Sequence, residues 1–303
     1  MTYGLAVHFE VVVVDSITEL GSADRGHVAV TASHGGRYGA YLAAALGLHG
    51  VVFNDAAVGR DGAGIVGLTQ LEEFGIPAAT IGHMTARIGD GQDTWTNGVV
   101  TYVNTAAERA GVTVGASCRV AAELMSRCAA PPAAKISAPL ESVLCLSRSA
   151  PAVWAFDSAS LVGPKYDGTL AITGSHGGLL GGDPRRAIKG MPAFAAFNDA
   201  GIGKERAGIG RLGPLEELGI PAVTVAASSA RIGDGPSTYR DGILSAFNES
   251  AAKLGGEPGM PLREFVQSIR RQLTLRAWPG NDEVSRGRRP GEEVPTTEAG
   301  EAI

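Results

Sequence analysis

Val28-Ala-Val-Thr-Ala-Ser-His-Gly-Gly36 returns later in the chain as Leu170-Ala-Ile-Thr-Gly-Ser-His-Gly-Gly178. Two further stretches return in the same order. Phe53-Asn-Asp-Ala56 becomes Phe197-Asn-Asp-Ala200, and Ala86-Arg-Ile-Gly-Asp-Gly91 becomes Ala230-Arg-Ile-Gly-Asp-Gly235. His34 and His176 lie 142 positions apart, whereas Asp55 and Asp199, and Asp90 and Asp234, lie 144 apart. One two-residue insertion between Gly178 and Phe197 accounts for the difference. A repeat of this kind dictates the architecture, so it is read first. The two copies differ widely in their helices and agree in their polar turns, which marks the turns as the constrained part.

Around each turn the pattern is strand then helix. Val11 to Val14, His27 to Thr31, Val51 to Phe53 and Ala78 to Ile81 are short apolar runs, as are Ala152 to Phe156, Thr169 to Ile172, Ala193 to Phe197 and Ala222 to Val225. Helical periodicity covers Tyr38 to Leu46, Ile65 to Phe74, Trp95 to Ala110, Leu212 to Leu218 and Tyr239 to Leu254. Short continuous apolar strands separated by helices predict parallel sheets covered on both faces. The expected fold is therefore α/β: tandem-duplicated three-layer α/β/α lobes with mostly parallel sheets, related by a pseudo-twofold axis. The expected domains are a first repeat over 1–122, a linker over 123–151 containing Cys128-Ala-Ala-Pro-Pro-Ala-Ala-Lys135, and a second repeat over 152–278. Residues 279–303 lack apolar periodicity and read as a disordered tail.

Composition narrows the function classes. The net charge of −5 supplies no electrostatic footprint for nucleic acid. No apolar run is long enough to span a bilayer, so no membrane partner is expected. The three cysteines fit no zinc spacing and read as reduced thiols. The chain opens Met-Thr-Tyr-Gly without a basic leader, and the expected location is the cytoplasm. A small-molecule substrate is the expected partner, and a homo-oligomer is compatible with this reading.

In open α/β sheets, ligands bind beyond the carboxyl ends of the strands. Every repeated polar motif falls at such an end. Ser33-His34 and Ser175-His176 bring an acid, base or metal ligand. Gly35, Gly36, Gly177 and Gly178 leave N–H groups that can bind an oxyanion. Asn54-Asp55 and Asn198-Asp199 follow the third strand, either as functional groups or as Asx turns bonded to their own backbone. Arg87 and Arg231 suit bidentate recognition of a carboxylate, unless Asp90 and Asp234 hold them in internal salt bridges. His83 is matched by Ala227 and reads as idiosyncratic. Asn104 and Asn248, read as lying within helices, are expected to bond across an interface or to the site.

The favoured function is an enzyme acting on a small polar carboxylate- or amide-bearing metabolite, in first place a hydrolase. His34, His176, Asp55, Asp199, Ser33 and Ser175 are the candidate catalytic groups. Arg87, Arg231, Asp90, Asp234, Asn54, Asn198 and the paired glycines are the candidate substrate-binding groups. Two alternatives remain: a lyase or isomerase working at a site between the repeats, and a non-catalytic binding or sensor protein. The P-loop pattern is absent, and no nucleotide cofactor is expected. A divalent metal is compatible with the His and Asp positions, but no His-x-x-x-His spacing implies one. The second copy has the cleaner glycine pattern and is favoured as the better-preserved site.

Overall fold

Four consecutive valines, Val11–Val14, form strand β1, because β-branched side chains fit a pleated, buried surface. The computed structural model describes residues 9–131 and 143–276. The expected tail falls outside them. In the first half, β2 (Val28–His34), β3 (Gly50–Asn54) and β4 (Ala78–Ile81) add parallel strands in sequence order. Helix α1 (Arg37–Leu46) links β2 to β3, and α2 (Gly67–Glu72) links β3 to β4. Both helices cover one face through Ala40, Ala43, Leu68 and Leu71 against Val51, Phe53 and Ala78.

The expected long helix from Trp95 to Ala110 is three elements instead. Helix α3 (Gly91–Asn97) stops at Gly98. Strand β5 (Val100–Val103) then runs antiparallel to β4, and α4 (Thr105–Arg109) follows. The β-branched run Val99-Val100-Thr-Tyr-Val103 outweighs the helical spacing around it. Helix α5 (Cys118–Ser126) places Ala121, Ala122 and Met125 on the second face of the sheet.

The second half starts inside the expected linker with β6 (Val143–Ser147), an antiparallel edge strand on β7 (Val153–Phe156). Parallel strands β8 (Leu170–His176) and β9 (Phe194–Asn198) follow. After helix α6 (Leu212–Glu217) come parallel strand β10 (Ala222–Val225) and helix α7 (Gly235–Asp241). Antiparallel β11 (Leu244–Phe247), α8 (Glu249–Lys253) and α9 (Leu262–Arg276) complete it. The same correction applies here: Tyr239 to Leu254 is helix, strand and helix, broken at Gly242. The result is two mostly parallel mixed sheets, of five and six strands, with helices: an α/β fold.

The halves differ at one crossover. Where α1 links β2 to β3, the β8–β9 link holds only short 3₁₀ turns at Leu180–Gly182 and Pro184–Arg186. Gly181-Gly182 and Pro184 do not support an α-helix. Among the described residues no helix is long and apolar enough to cross a membrane.

Candidate functional site at the seam between the halves

Strand order is monotonic in both sheets, so neither contains the internal reversal that usually opens a crevice. The polar strand ends face the other half of the chain instead. Arg60 N–H donates to the Ala227 carbonyl at 2.8 Å, and Lys204 N–H donates to the His83 carbonyl at 2.8 Å. Gly181 N–H donates to the Gly89 carbonyl at 2.7 Å. Ala56, Ala63, Ile88, Ala200 and Ile232 form an apolar centre between these contacts. Most of the polar rim read from the sequence is thus a seam.

The histidines sit in that seam. Gly36 N–H donates to Nδ1 of His34 at 3.2 Å, and Gly178 N–H donates to Nδ1 of His176 at 3.1 Å. With Nδ1 accepting, the proton of each neutral ring sits on Nε2. Burial lowers the His34 pKa to about 4. Burial, with Arg211 and His34 adding positive charge, pushes His176 well below its ordinary value. Both rings are neutral donors at pH 7.

Each ring also meets the Arg-Ile-Gly-Asp-Gly turn of the opposite half. A Cβ added to Gly233 would lie 3.1 Å from Cε1 of His34, and one added to Gly89 would lie 3.4 Å from Cε1 of His176. Both glycines have positive φ, +82° and +85°. Backbone conformation and close approach together demand glycine here, which accounts for the identical turn in both copies.

The remaining repeated residues are engaged locally. Asn54 accepts from Ala56 N–H at 2.9 Å and donates to the Ala86 carbonyl at 3.2 Å. Asn198 does the same with Ala200 and Ala230, at 2.9 and 3.1 Å. These are Asx turns that tie strand end to loop. Asp90 and Asp234 cap α3 and α7 by accepting from Asp93 and Ser237 N–H. Arg87 pairs with Asp90 at 2.8 Å and with Glu205 across the seam at 2.6 Å. Arg231 pairs with Asp234 at 2.9 Å and with Asp61 across the seam at 3.1 Å. Both guanidinium groups are therefore occupied by carboxylates of the chain itself. Ser33 accepts from Ile17 N–H at 3.0 Å, and Ser175 from Ala159 N–H at 2.8 Å.

Asp55 and Asp199 diverge. Asp55 Oδ1 lies 2.8 Å from His83 Nδ1 and accepts from His83 N–H at 3.0 Å, and Oδ2 accepts from the Thr101 hydroxyl at 3.0 Å. Burial pushes the Asp55 carboxyl up, but the His83 imidazole and the surrounding donors outweigh it and hold it below its usual value. Asp199 Oδ1 accepts from Gly201 and Ala227 N–H, both at 2.8 Å, with no imidazole beside it.

Cavities open along the seam among the described residues. One of about 540 Å³ lies where the β8–β9 crossover lacks a helix. Ser16, Thr18 and Glu19 of the first half face Ser158, Ser160, Ser175 and His176 of the second across it. Its floor and rim carry Arg185, Arg186, Lys189 and Arg211. Arg211 is 5% exposed, and burial with the neighbouring Arg186 lowers its pKa to about 10, so it stays cationic at pH 7. Its guanidinium donates to the Gly178, Arg186 and Ala187 carbonyls. Arg186 reaches Asp15 at 3.0 Å and also pairs with Glu19. His34 lines a separate cavity of about 110 Å³ with Tyr38 and Arg231. Asp199 lines a third, about 380 Å³. The candidate catalytic residues are thus divided among several places.

Among the described residues no group of three or more His, Cys, Asp and Glu side chains is arranged to hold a metal ion. Sequence reasoning missed Arg186, Lys189 and Arg211. Position 211 aligns with Gly67, so repetition gave no signal there. The available clue was the two-residue insertion itself, which brings Arg185-Arg186 and Lys189 beside the histidine turn. Comparison with family models, curated proteins and solved structures found no match.

Proposed function

We propose that the protein is an enzyme acting on a small polar metabolite that bears a carboxylate or amide, that its site is the seam cavity of about 540 Å³, and that its reaction is hydrolysis. One observation carries the reading: a neutral histidine, 6% exposed, lines a cavity that also contains four basic side chains. Cationic walls suit an anionic substrate. Nε2–H of a neutral imidazole suits the carbonyl oxygen on which negative charge develops. In this scheme His176 donates to that oxygen and Lys189 holds the substrate carboxylate, Arg186 being paired with Asp15 and Glu19. Glu19 takes the proton of the attacking water and returns it to the leaving group.

A second reading, a lyase or isomerase, is favoured by the walls coming from both halves. Hydrolysis puts oxygen from labelled water into the product. Proton transfer instead exchanges substrate hydrogen with deuterated solvent.

We also infer that the halves are duplicated copies related by a pseudo-twofold axis. The reciprocal seam contacts support this: Arg60 to Ala227 is matched by Lys204 to His83, and Arg87–Glu205 by Arg231–Asp61. The cytoplasm is the proposed location, supported by three free cysteines.

The test begins with a thermal-shift screen of small carboxylates and amides, followed by turnover of the hits. His176→Gln is expected to cut turnover about 100-fold or more while affinity stays within a few-fold, as for loss of an oxyanion donor. Unchanged turnover in that variant would contradict the enzyme reading. Tight binding of a hit that is never turned over would favour a binding protein.

A further inference from the structure

His83 in one half and Ala227 in the other occupy equivalent positions, and the exchange leaves a space. In the first half the His83 ring fills the ground beside Asp55, with Nδ1 at 2.8 Å from the carboxylate. The second half keeps the carboxylate and its backbone donors, since Asp199 Oδ1 accepts from Gly201 and Ala227 N–H. It has no ring. In its place is the cavity of about 380 Å³ whose wall includes Asp199, Ala227 and Arg60.

Asp199 is 4% exposed, and the Gly201 and Ala227 N–H groups both reach the same carboxylate oxygen, Oδ1. The Arg60 guanidinium in the same wall does not serve it. Its Nη1 donates to the Ser229 carbonyl at 2.8 Å and lies 3.7 Å from Asp241.

The opposite wall shows a matching exchange. Gly201 faces Ala57 and the His83 ring: a Cβ there would meet the Ala57 Cβ first and lie 3.2 Å from Cδ2 of His83. The equivalent position on the other side is Ala57, near Ala227. So the first half pairs a large side chain with glycine, and the second pairs two alanines around a cavity.

We infer that the Asp199 cavity is a binding site for a small molecule with a compact N–H-donating cationic head, an imidazole or amine, which sits on the carboxylate as His83 sits on Asp55. This site lies apart from the cavity containing His176 and does not depend on the hydrolase reading.

Imidazole and histamine are the probes, titrated into the full chain by calorimetry and by thermal shift, with acetate as the control. Both amines are expected to bind one per chain and raise the melting temperature, since a ligand of the native state stabilises by mass action. Acetate, which suits the basic cavity beside His176, is expected not to compete with either amine. Asp199→Asn is expected to weaken amine binding about tenfold or more, the usual worth of a charge-assisted hydrogen bond. A self-filled variant covers the case in which that protein fails to fold. Ala57→Gly with Ala227→His supplies the ring and the room that Gly201 gives it. It is expected to lose amine binding while melting no lower than the parent. Amine binding that persists in the self-filled variant, or no amine binding by the parent chain, overturns the inference.

Discussion

A histidine ring largely withdrawn from water favours its neutral form, and that gives the protein a pH dependence. For His34 the ordinary value of 6.5 falls to about 4 in the folded chain. Between those values the unfolded chain binds more protons than the folded one, so stability rises with pH there. The stabilisation is complete above about pH 6.5 and is lost as the pH falls toward 4. Linkage puts the loss from His34 at up to about 2 kcal/mol at pH 5. The same direction holds for His176. His34→Asn keeps an acceptor for Gly36 N–H and removes the titration. Denaturant unfolding at pH 7 and pH 5 is expected to show a smaller drop for the variant than for the parent. An equal drop would mean that His34 titrates normally.

Elements were legible wherever one local signal dominated. The valine run of β1 and the bare apolar runs of β4 and β10 gave the strand bounds as observed. The region from Trp95 to Ala110 carries two competing signals, helical spacing and a β-branched core, and tertiary pairing with β4 decides for the strand. Asn104 and Asn248 then make sense. Each is the N-cap of a short helix and also a buried bracket between elements. Asn104 accepts from Ala78 and Ala107 N–H and donates to the Leu68 and Ile76 carbonyls. Asn248 repeats the set with Ala222, Ala251, Leu212 and Ile220. Replacing Asn248 by Ala strands buried backbone groups at both ends of the bracket. We expect a loss of about 2–4 kcal/mol in urea unfolding, more than a cap alone contributes. A loss under about 1 kcal/mol would show that water replaces the side chain there.

At the scale of the whole molecule, the repeated turns join the strand ends of one sheet to those of the other. Sequence placed those residues at strand ends. It could not show that each rim would meet its counterpart, because that depends on how the halves dock. The Arg-Ile-Gly-Asp-Gly turn illustrates the point: a motif suited to binding an anion spends its guanidinium on Asp90 and Glu205, or on Asp234 and Asp61. Its glycine makes room for the opposite histidine. The basic cavity beside His176 lies where the β8–β9 crossover has no α-helix, a difference between the halves rather than a likeness. Reading only what the halves share therefore placed the strand-end residues and overlooked much of the cavity wall.

The most direct test of this picture is a crystal structure of the chain with the strongest carboxylate found by thermal shift. We predict that the ligand lies in the seam cavity, with its carboxylate about 3 Å from Lys189 and a carbonyl oxygen within hydrogen-bonding reach of His176 Nε2. A ligand bound away from both halves' strand ends, with that cavity holding only solvent, would contradict the account.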